Sequence, residues 1–336
     1  MKKGFVVLSV IAGLALLSPS IINAADVNWG SIQPHKVKLF YPGIASWEFV
    51  NSNNHGVGRV PVSKRKKACP ECHIDKEGNL DVKAAEIVNG SLSMKASKKV
   101  FEPNPVEGKP GFLDADLQAA YDNENIYLRL QWSSAGKSWT GGDSGVPDRV
   151  AIQLNSGQDE FSKYGCFVTC HPDQNSMPDS AGKDKVGKHQ YYSKQKREDV
   201  RLYAFYTRTE GGGWADMKDS KGIDELLKNG GLIDIWEATF KTKGTDIADG
   251  WILEDREADH KDVDGSGEWD NGKYTVTLKR KLNTSDIKDV ELKEGSAFTL
   301  GIAIHDDKAK LRRHYVSYPM SIGLGVEGKV KAVKIK

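Results

Sequence analysis

Apolar and polar residues alternate along much of this chain at the two-residue period of a half-buried β-strand. The clearest example is the segment 126–132, in which every second residue is apolar. The same pattern predicts strands over 150–154, 200–207 and 274–278. The segment 297–304 is more continuously apolar and is also predicted to be a strand, and a further strand is predicted over 37–41.

Turn-forming residues separate these strands, and helical periodicity is scarce. Residues 122–125 and the three glycines at 211–213 are typical turn sequences. Only 222–228 and 285–291 have patterns that predict short helices. The sequence therefore predicts a mainly β fold, an antiparallel β-sandwich with long functional loops.

The first 24 residues have the pattern of a secretory signal peptide. Lys2 and Lys3 precede an apolar stretch over 5–17, and residues 22–24 offer a cleavage site. That stretch is too short to span a membrane comfortably, and no later stretch is long and apolar enough. We therefore predict an exported, periplasmic protein with no transmembrane segment in the mature chain.

The mature chain is predicted to have two parts. Residues 25–80 contain many Pro, Gly and Asn residues and little helical periodicity, which indicates a loop-rich segment. Residues 81–336 contain most of the predicted strands and are interpreted as the sandwich domain.

The charge of the chain is balanced, with 48 basic and 46 acidic residues. Removal of the signal peptide, which carries two lysines and no acid, leaves no net formal charge, so nucleic-acid binding has no support. A local basic cluster nevertheless precedes Cys69. It is interpreted either as a solvated loop or as a group that neutralises the acidic groups of a bound ligand or docks an acidic partner protein. The cluster consists of Arg59, Lys64, Arg65, Lys66 and Lys67.

All four cysteines belong to two motifs that end in histidine. Cys69, Cys72 and His73 have the C-x-x-C-H spacing of covalent haem c attachment, in which the thiols bind the haem vinyl groups and the histidine binds iron. The second motif has the rarer C-x-x-x-C-H spacing, and we predict two haem c groups. Two structural disulfides are the alternative, since an oxidising compartment permits them. The second motif consists of Cys166, Cys170 and His171.

A six-coordinate haem iron also needs a distal ligand, usually His or Met. His55 is favoured for the first haem because it lies in a flexible loop shortly before the motif, and His35 is the alternative. His314 is favoured for the second haem, and Met177 is the alternative because it follows the motif closely. No role is assigned to His189, His260 and His305.

Three aspartates partly resemble a calcium-binding loop. Asp259, Asp262 and Asp264 are close in sequence and are followed by Gly265 and Gly267. Their spacing differs from that of an EF-hand, and no glutamate stands at the required position. The sequence alone therefore gives little support for a calcium site.

The β-rich part of the chain resembles the haem-binding domain of the ethylbenzene dehydrogenase γ-subunit family, which includes relatives in periplasmic molybdoenzymes of the DMSO-reductase type. The resemblance covers residues 81–325 and implies a β-sandwich that holds one haem between its loops. The stretches that carry it are 117–122, 125–132, 149–154, 274–282, 297–307 and 312–325.

The resemblance also implies ligands. In the γ-subunits themselves the haem is b-type, with Met and Lys as ligands. Here the second cysteine motif stands near the expected Met loop, and His314 stands near the expected Lys, which implies a c-type branch with His171 and His314 as ligands. The first motif lies outside the γ-subunit pattern. It resembles the added haem segment of multihaem relatives, in which a His-Gly sequence such as His55-Gly56 precedes the attachment motif.

These observations predict an exported dihaem c-type cytochrome with two bis-His haems, which transfers electrons between periplasmic or membrane redox partners. The resemblance adds a molybdoenzyme or a membrane quinol-linked cytochrome as a hypothetical partner. If one distal position is open, the alternative is a haem enzyme or the haem subunit of a periplasmic oxidoreductase, and a haem-based sensor is a weaker hypothesis. The sequence contains no Gly-x-Ser-x-Gly, phosphate-loop or His-Glu-x-x-His motif.

Overall fold

The structure, a computed structural model, describes residues 26–136, 146–177, 179–259, 261–306 and 309–336. The predicted signal peptide and His260 lie outside the described residues.

Thirteen strands in the described part of the chain form one sheet. The strands are β1 (His35–Phe40), β2 (Phe112–Tyr121), β3 (Asn125–Ser133), β4 (Arg149–Asn155), β5 (Ile233–Phe240), β6 (Thr245–Ile252), β7 (Arg256–Ala258), β8 (Val263–Asp270), β9 (Lys273–Lys281), β10 (Ser296–His305), β11 (Tyr315–Val316), β12 (Met320–Leu324) and β13 (Val330–Lys334).

The main path of the sheet runs β7-β6-β5-β4-β10-β11-β1-β2-β3-β9-β8. All neighbours along this path are antiparallel, whereas β13 joins β12 and β2 in parallel. The sheet curves until its two ends meet. At this meeting point, Thr245 of β6 donates a side-chain hydrogen bond of 2.6 Å to the carbonyl of Gly267 in β8. The fold is therefore mainly β and sandwich-like, which confirms the prediction.

The core lies between the curved halves of this sheet. On β3, Ile126, Leu128, Leu130 and Trp132 are buried, and the intervening Arg129 and Gln131 are more exposed. This is the alternation that the sequence predicted. Burial of each large apolar side chain favours folding by about 1.5–3 kcal/mol.

Eight short α-helices lie in the described loops around the sheet. They are α1 (Trp47–Asn51), α2 (Arg59–Ser63), α3 (Cys69–His73), α4 (Ala84–Val88), α5 (Asp159–Tyr164), α6 (Lys183–Lys188), α7 (Gln190–Lys194) and α8 (Ser220–Lys228). Helix α8 confirms the helix predicted over 222–228. The Asp219 side chain caps its first turn by accepting a hydrogen bond of 2.8 Å from the amide of Gly222.

Two predicted elements are wrong. Residues 200–207 form no strand: Phe205–Thr207 is a 3₁₀ turn, and the amide of Ala204 donates to the carbonyl of Leu253 instead of to a ladder. Residues 285–291 form no helix, because the side chains of Asn283 and Asp286 accept hydrogen bonds from backbone amides two residues further on. Such local side-chain bonds favour turns over helices.

Strand β1 joins the N-terminal segment to the sheet. It pairs with β2 along its whole length and contacts β11 at Phe40. The division of the chain at residue 80 stays a prediction. Among the described residues, no helix is both long and apolar enough to cross a membrane.

Candidate haem sites

The first cysteine motif forms the single helix turn α3. Pro70 stands in its first turn, where a missing N–H costs nothing. The Glu71 carboxylate accepts a hydrogen bond of 2.7 Å from the amide of Ala68 and so caps the turn. Because residues three and four apart lie on one face of a helix, this turn brings Cys69, Cys72 and His73 to the same cavity, which has a volume of about 350 Å³.

His55 lies on this cavity beside His73. Their ring centres are 6.0 Å apart, and their planes differ by 24°. Two imidazoles that bind one metal ion from opposite sides place their nitrogens about 4 Å and their ring centres about 6 Å apart, because metal–imidazole bonds are about 2 Å long. The observed separation therefore suits a bis-His iron site.

Backbone carbonyls fix the tautomers of both rings. The Nδ1 atom of His55 lies 2.7 Å from the carbonyl oxygen of Val50, and Nδ1 of His73 lies 3.3 Å from that of Asp81. A carbonyl oxygen only accepts, so Nδ1 carries the proton in each ring and Nε2 keeps its lone pair for a metal. Burial also lowers the pKa of His55, which favours the neutral, ligating form.

Gly58 makes room for the His55 ring. A Cβ atom at this position would lie 2.6 Å from Cε1 and 2.7 Å from Nε2 of His55. Real Cβ atoms do not approach other atoms so closely, so any side chain at position 58 would displace the ring.

The walls of the first cavity are mostly apolar, as a haem macrocycle requires. Polar side chains are few, and among them Lys67 and Lys83 are placed to neutralise anionic groups. Tyr318 stacks on His73 with ring centres 5.9 Å apart. The aromatic residues of the lining are Phe40, Phe49, Phe101, Tyr164, Phe167 and Tyr318.

The second motif follows β4 and α5. Cys166 lies in the 3₁₀ turn Gly165–Val168 and is buried. Gly301 of β10 allows this position, because a Cβ there would lie 2.7 Å from the Cys166 sulfur. Cys166 and Cys170 line a second cavity of about 280 Å³.

The second cavity is more polar than the first. Four arginines contribute to its lining, and three of them already form ion pairs with acidic residues, among them Arg256 with Glu237 and Arg312 with Glu102. Guanidinium groups bind carboxylates well, so this wall suits the propionates of a haem. The arginines are Arg149, Arg201, Arg256 and Arg312.

His171 does not face this cavity. Its Nδ1 lies 2.6 Å from the Asp173 carboxylate, and its Nε2 lies 3.2 Å from the carbonyl oxygen of Arg201. Tyr203 covers the ring face with ring centres 3.6 Å apart. Both ring nitrogens are therefore engaged, and His171 is buried behind the cavity wall.

His314 does line the second cavity, together with a histidine to which the sequence assigned no role. His305 and His314 stack with ring centres 4.4 Å apart. Both rings lie within hydrogen-bond distance of the Leu311 carbonyl oxygen, through Nε2 of His305 at 3.0 Å and Nδ1 of His314 at 3.3 Å. Burial lowers the pKa of His314 to about 4, so its ring is neutral.

His305 is a further candidate ligand at this site. Its Nδ1 atom is buried and has no hydrogen-bond partner, which is unusual for a buried polar atom. Burial lowers its pKa well below the usual value. In the sequence, His305 directly follows the apolar segment 297–304 that predicts a strand. In the structure, the loop after this strand returns the chain to the same cavity.

The two alternative distal ligands, Met177 and His35, differ in their position relative to the cavities. Met177 is buried and lines the second cavity. His35 stands at the start of β1, whereas Phe40 at its end lines the first cavity, so about 16 Å of extended strand separates them. His189 lies 3.1 Å from the carbonyl oxygen of Trp214 and contacts neither cavity lining.

The two cavities share a wall formed by the second motif. Cys166 and Thr169 line the second cavity, and Phe167 lines the first. Phe167 packs there against Phe40 and Tyr318. All four cysteines lie in the described residues, and none is in a disulfide.

The chain is similar to known proteins over nearly its whole length. A family model described as ethylbenzene dehydrogenase matches residues 27–317. The chain is 29% identical to cytochrome c-552 of Stutzerimonas stutzeri over 99% of this chain and 100% of that protein. It is 26% identical to cytochrome c-551 of Rhodocyclus tenuis over 91% of this chain and 99% of that protein.

Among solved structures, a family 9 carbohydrate-binding module from Caldicellulosiruptor kristjanssonii in complex with glucose is similar over 61% of this chain and 66% of that chain. The TM-score is 0.28 and the sequence identity 7%, so this likeness carries no argument about function.

Proposed function

Because this chain belongs to the ethylbenzene dehydrogenase family and matches two cytochromes c over nearly its whole length, we propose that it is a dihaem c-type cytochrome that carries electrons. The observation that carries this proposal is the His55–His73 pair, 6.0 Å apart, on a cavity that also contains Cys69 and Cys72.

At the first site, Cys69 and Cys72 would hold a haem through thioether bonds, and His73 and His55 would bind its iron through Nε2. The carbonyls of Asp81 and Val50 orient the two rings. The apolar lining would keep water away from a haem bound in this cavity. A haem iron with both axial positions filled takes up and gives up one electron without binding substrate.

At the second site, Cys166 and Cys170 would form the thioether bonds. His314 is the proposed distal ligand, with His305 stacked beside it. His171, the proposed proximal ligand, would have to exchange its contact with the Arg201 carbonyl for the iron. The Asp173 carboxylate at Nδ1 would then orient the ring and raise its basicity.

The shared wall supports electron transfer between the two sites. Phe167 belongs to the second motif and lines the first cavity, so the haems would be separated by one layer of side chains. In this arrangement electrons enter at one haem and leave at the other. The N-terminal segment 25–80 supplies most of the first site, and the sandwich over 81–336 supplies the second.

A basic surface beside the first cavity suits an acidic redox partner. Arg59, Lys64 and Lys66 are exposed there, and Val57 and Val60 next to them are 96% and 45% exposed. Exposed apolar residues within a basic rim are typical of a docking surface. We propose export to the periplasm and a partner such as a molybdoenzyme or a membrane quinol-linked cytochrome.

A second candidate function rests on His171. If its Nε2 keeps the contact with the Arg201 carbonyl, the iron at the second site has an open position. The protein would then be a haem enzyme or the haem subunit of a periplasmic oxidoreductase, with a small ligand bound at that iron.

Intact mass under denaturing conditions tests the number of haems, because thioether bonds survive unfolding. We expect the purified protein to exceed its apoprotein by two haems. Replacing Cys69 and Cys72 together by Ala should remove one haem, and replacing Cys166 and Cys170 together should remove the other. A wild-type mass with fewer than two haems would overturn the dihaem proposal.

A further inference from the structure

Three aspartates meet on the far side of β5 from the second cavity. They are Asp234 of β5, Asp249 of β6 and Asp289 in the loop after β9, and one carboxylate oxygen from each lies within 4.8 Å of the others. Asp249 also belongs to a second such group, with Asp259 and Asp262. Five carboxylates from four segments of the chain therefore converge on Asp249.

The cluster contains buried oxygens that lack a partner. Asp234 is fully buried, and its Oδ2 is bonded by Arg280 and by the amide of Val290, whereas Oδ1 has no hydrogen-bond partner. Oδ2 of Asp289 is also buried without a partner. A buried carboxylate oxygen without a donor is costly, and a metal ion would satisfy both atoms.

The positive charges near the cluster do not balance it. Arg280 pairs with Asp234, and Lys261 lies 2.9 Å from Asp259. In the part of the chain that the structure describes, these two cations are paired with a group of five carboxylates, which leaves an excess of negative charge in a mostly buried place. Burying an excess of carboxylates is unfavourable unless a cation neutralises them.

We propose that Asp234, Asp249 and Asp289 bind one calcium ion, with Asp259 and Asp262 supplying further oxygens. Calcium takes six to eight oxygen ligands at about 2.3–2.6 Å, so its ligand oxygens lie up to about 5 Å apart, which matches the cluster. Magnesium usually keeps several waters and is rarely bound by an all-protein cage, so a buried group of carboxylates selects the larger ion.

The ion would hold an edge of the sheet next to the second cavity. Asp234 and Ile235 are neighbours on β5, so their side chains point to opposite faces, and Ile235 lines that cavity. The ion would also join β5 and β6 to the loop that carries Asp289. We expect calcium to stabilise the folded protein because it binds the native site and not the unfolded chain.

Calorimetric titration of the haem-loaded wild-type protein, after dialysis against EGTA, tests the proposal. With calcium chloride we expect saturable binding of one ion per chain and a rise of several degrees in the thermal unfolding midpoint. With magnesium chloride at the same concentration we expect much weaker effects. The absence of heat and of a midpoint shift up to about 10 mM calcium, beyond the weakest class of extracellular site, would overturn the proposal.

Three variants locate the ion. Asp249→Asn and Asp289→Asn should each weaken calcium binding at least roughly tenfold by removing a ligand charge. Asp264→Asn is the matched control: Asp264 accepts a hydrogen bond of 2.7 Å from the amide of Gly265, as Asp249 does from Gly250, but it is exposed on β8. If Asp249→Asn does not fold, Asp289→Asn tests the site instead, because Asp289 lies in a loop and not in a strand. Wild-type affinity in the folded variants would place any calcium elsewhere and overturn the assignment.

Discussion

The backbone amide of Trp47 donates a hydrogen bond of 2.6 Å to the carbonyl oxygen of Cys170. Trp47 begins α1, where amides have no partner within the helix, and the chain continues from α1 to His55. Cys170 is the second cysteine of the second motif. One hydrogen bond therefore ties the segment with the proposed distal ligand of the first haem to the attachment motif of the second.

Replacing His55 by Ala should open the first iron site. The Val50 carbonyl would lose its donor, and the iron would lose its distal ligand. We expect up to half of the haem absorbance to change from a low-spin to a high-spin spectrum. His35→Ala is the control, because His35 lies at the far end of β1, and it should keep the wild-type spectrum. An unchanged His55→Ala spectrum would reject His55 as a ligand.

Gly58→Ala should displace the His55 ring without removing it. The new methyl group would lie 2.6 Å from Cε1, so we expect a partial high-spin spectrum and a loss of about 1–3 kcal/mol in the free energy of unfolding from overpacking. Gly187→Ala in α6 is the control, since a Cβ there meets nothing within 4 Å. Equal spectra and stabilities for the two variants would contradict this packing.

Phe167→Ala should affect the first haem although it changes the second motif. We expect the free energy of unfolding to fall by about 3–5 kcal/mol and the reduction potential of the first haem to fall, because water reaches that cavity. Phe298→Ala removes another buried ring, from the sheet core. Phe298→Ala should lower the free energy of unfolding by a similar amount and leave both reduction potentials unchanged. If Phe167→Ala changes the reduction potential of the second haem only, the result argues against the shared wall.

Glu48 should make the protein less stable as pH rises from about 4.5 to 7. Burial raises the pKa of its carboxyl from 4.5 to about 7, so the folded state holds this proton more tightly than the unfolded state. The stabilisation, up to roughly 3 kcal/mol, is present below pH 4.5 and is lost as pH approaches 7. Thermal unfolding of Glu48→Gln at several pH values should show a smaller decline than wild type.

Other buried carboxyls shift in the same direction, so the comparison between variants isolates Glu48. Glu268→Gln, which changes an exposed glutamate on β8, should keep the wild-type pH dependence. If Glu48→Gln declines with pH as steeply as Glu268→Gln, Glu48 is not protonated in the folded state.

Strands β3 and β9 were predictable because one face of each is buried and the other is partly exposed. Residues 126–132 and 274–278 lie in β3 and β9, which pair with each other. The alternation of apolar and polar residues in the sequence therefore corresponds to the two faces of the sheet. Residues 200–207 were predicted to be a strand from the same pattern, but their burial does not alternate, because all five residues 203–207 are buried. A period of two in the sequence therefore did not identify the buried residues of this segment or the partners of its backbone hydrogen bonds.

The cysteine motifs could be predicted because their spacing is local in sequence, whereas the histidine pairs depend on tertiary contacts. The structure brings His55 beside His73, as a bis-His site needs. It also places His305 against His314, because β10 and β11 pair and return the chain to the same cavity. No sequence pattern gives that contact, or the engagement of His171 by Arg201.

The optical spectrum of the reduced protein, with and without carbon monoxide, tests the central claim most directly. Carbon monoxide binds only where a distal position is open. If both irons have two histidine ligands, the reduced bands stay unchanged, and the protein is an electron carrier. If carbon monoxide shifts a fraction of the absorbance, at least one iron is open, which would contradict the proposed ligation and favour the enzyme.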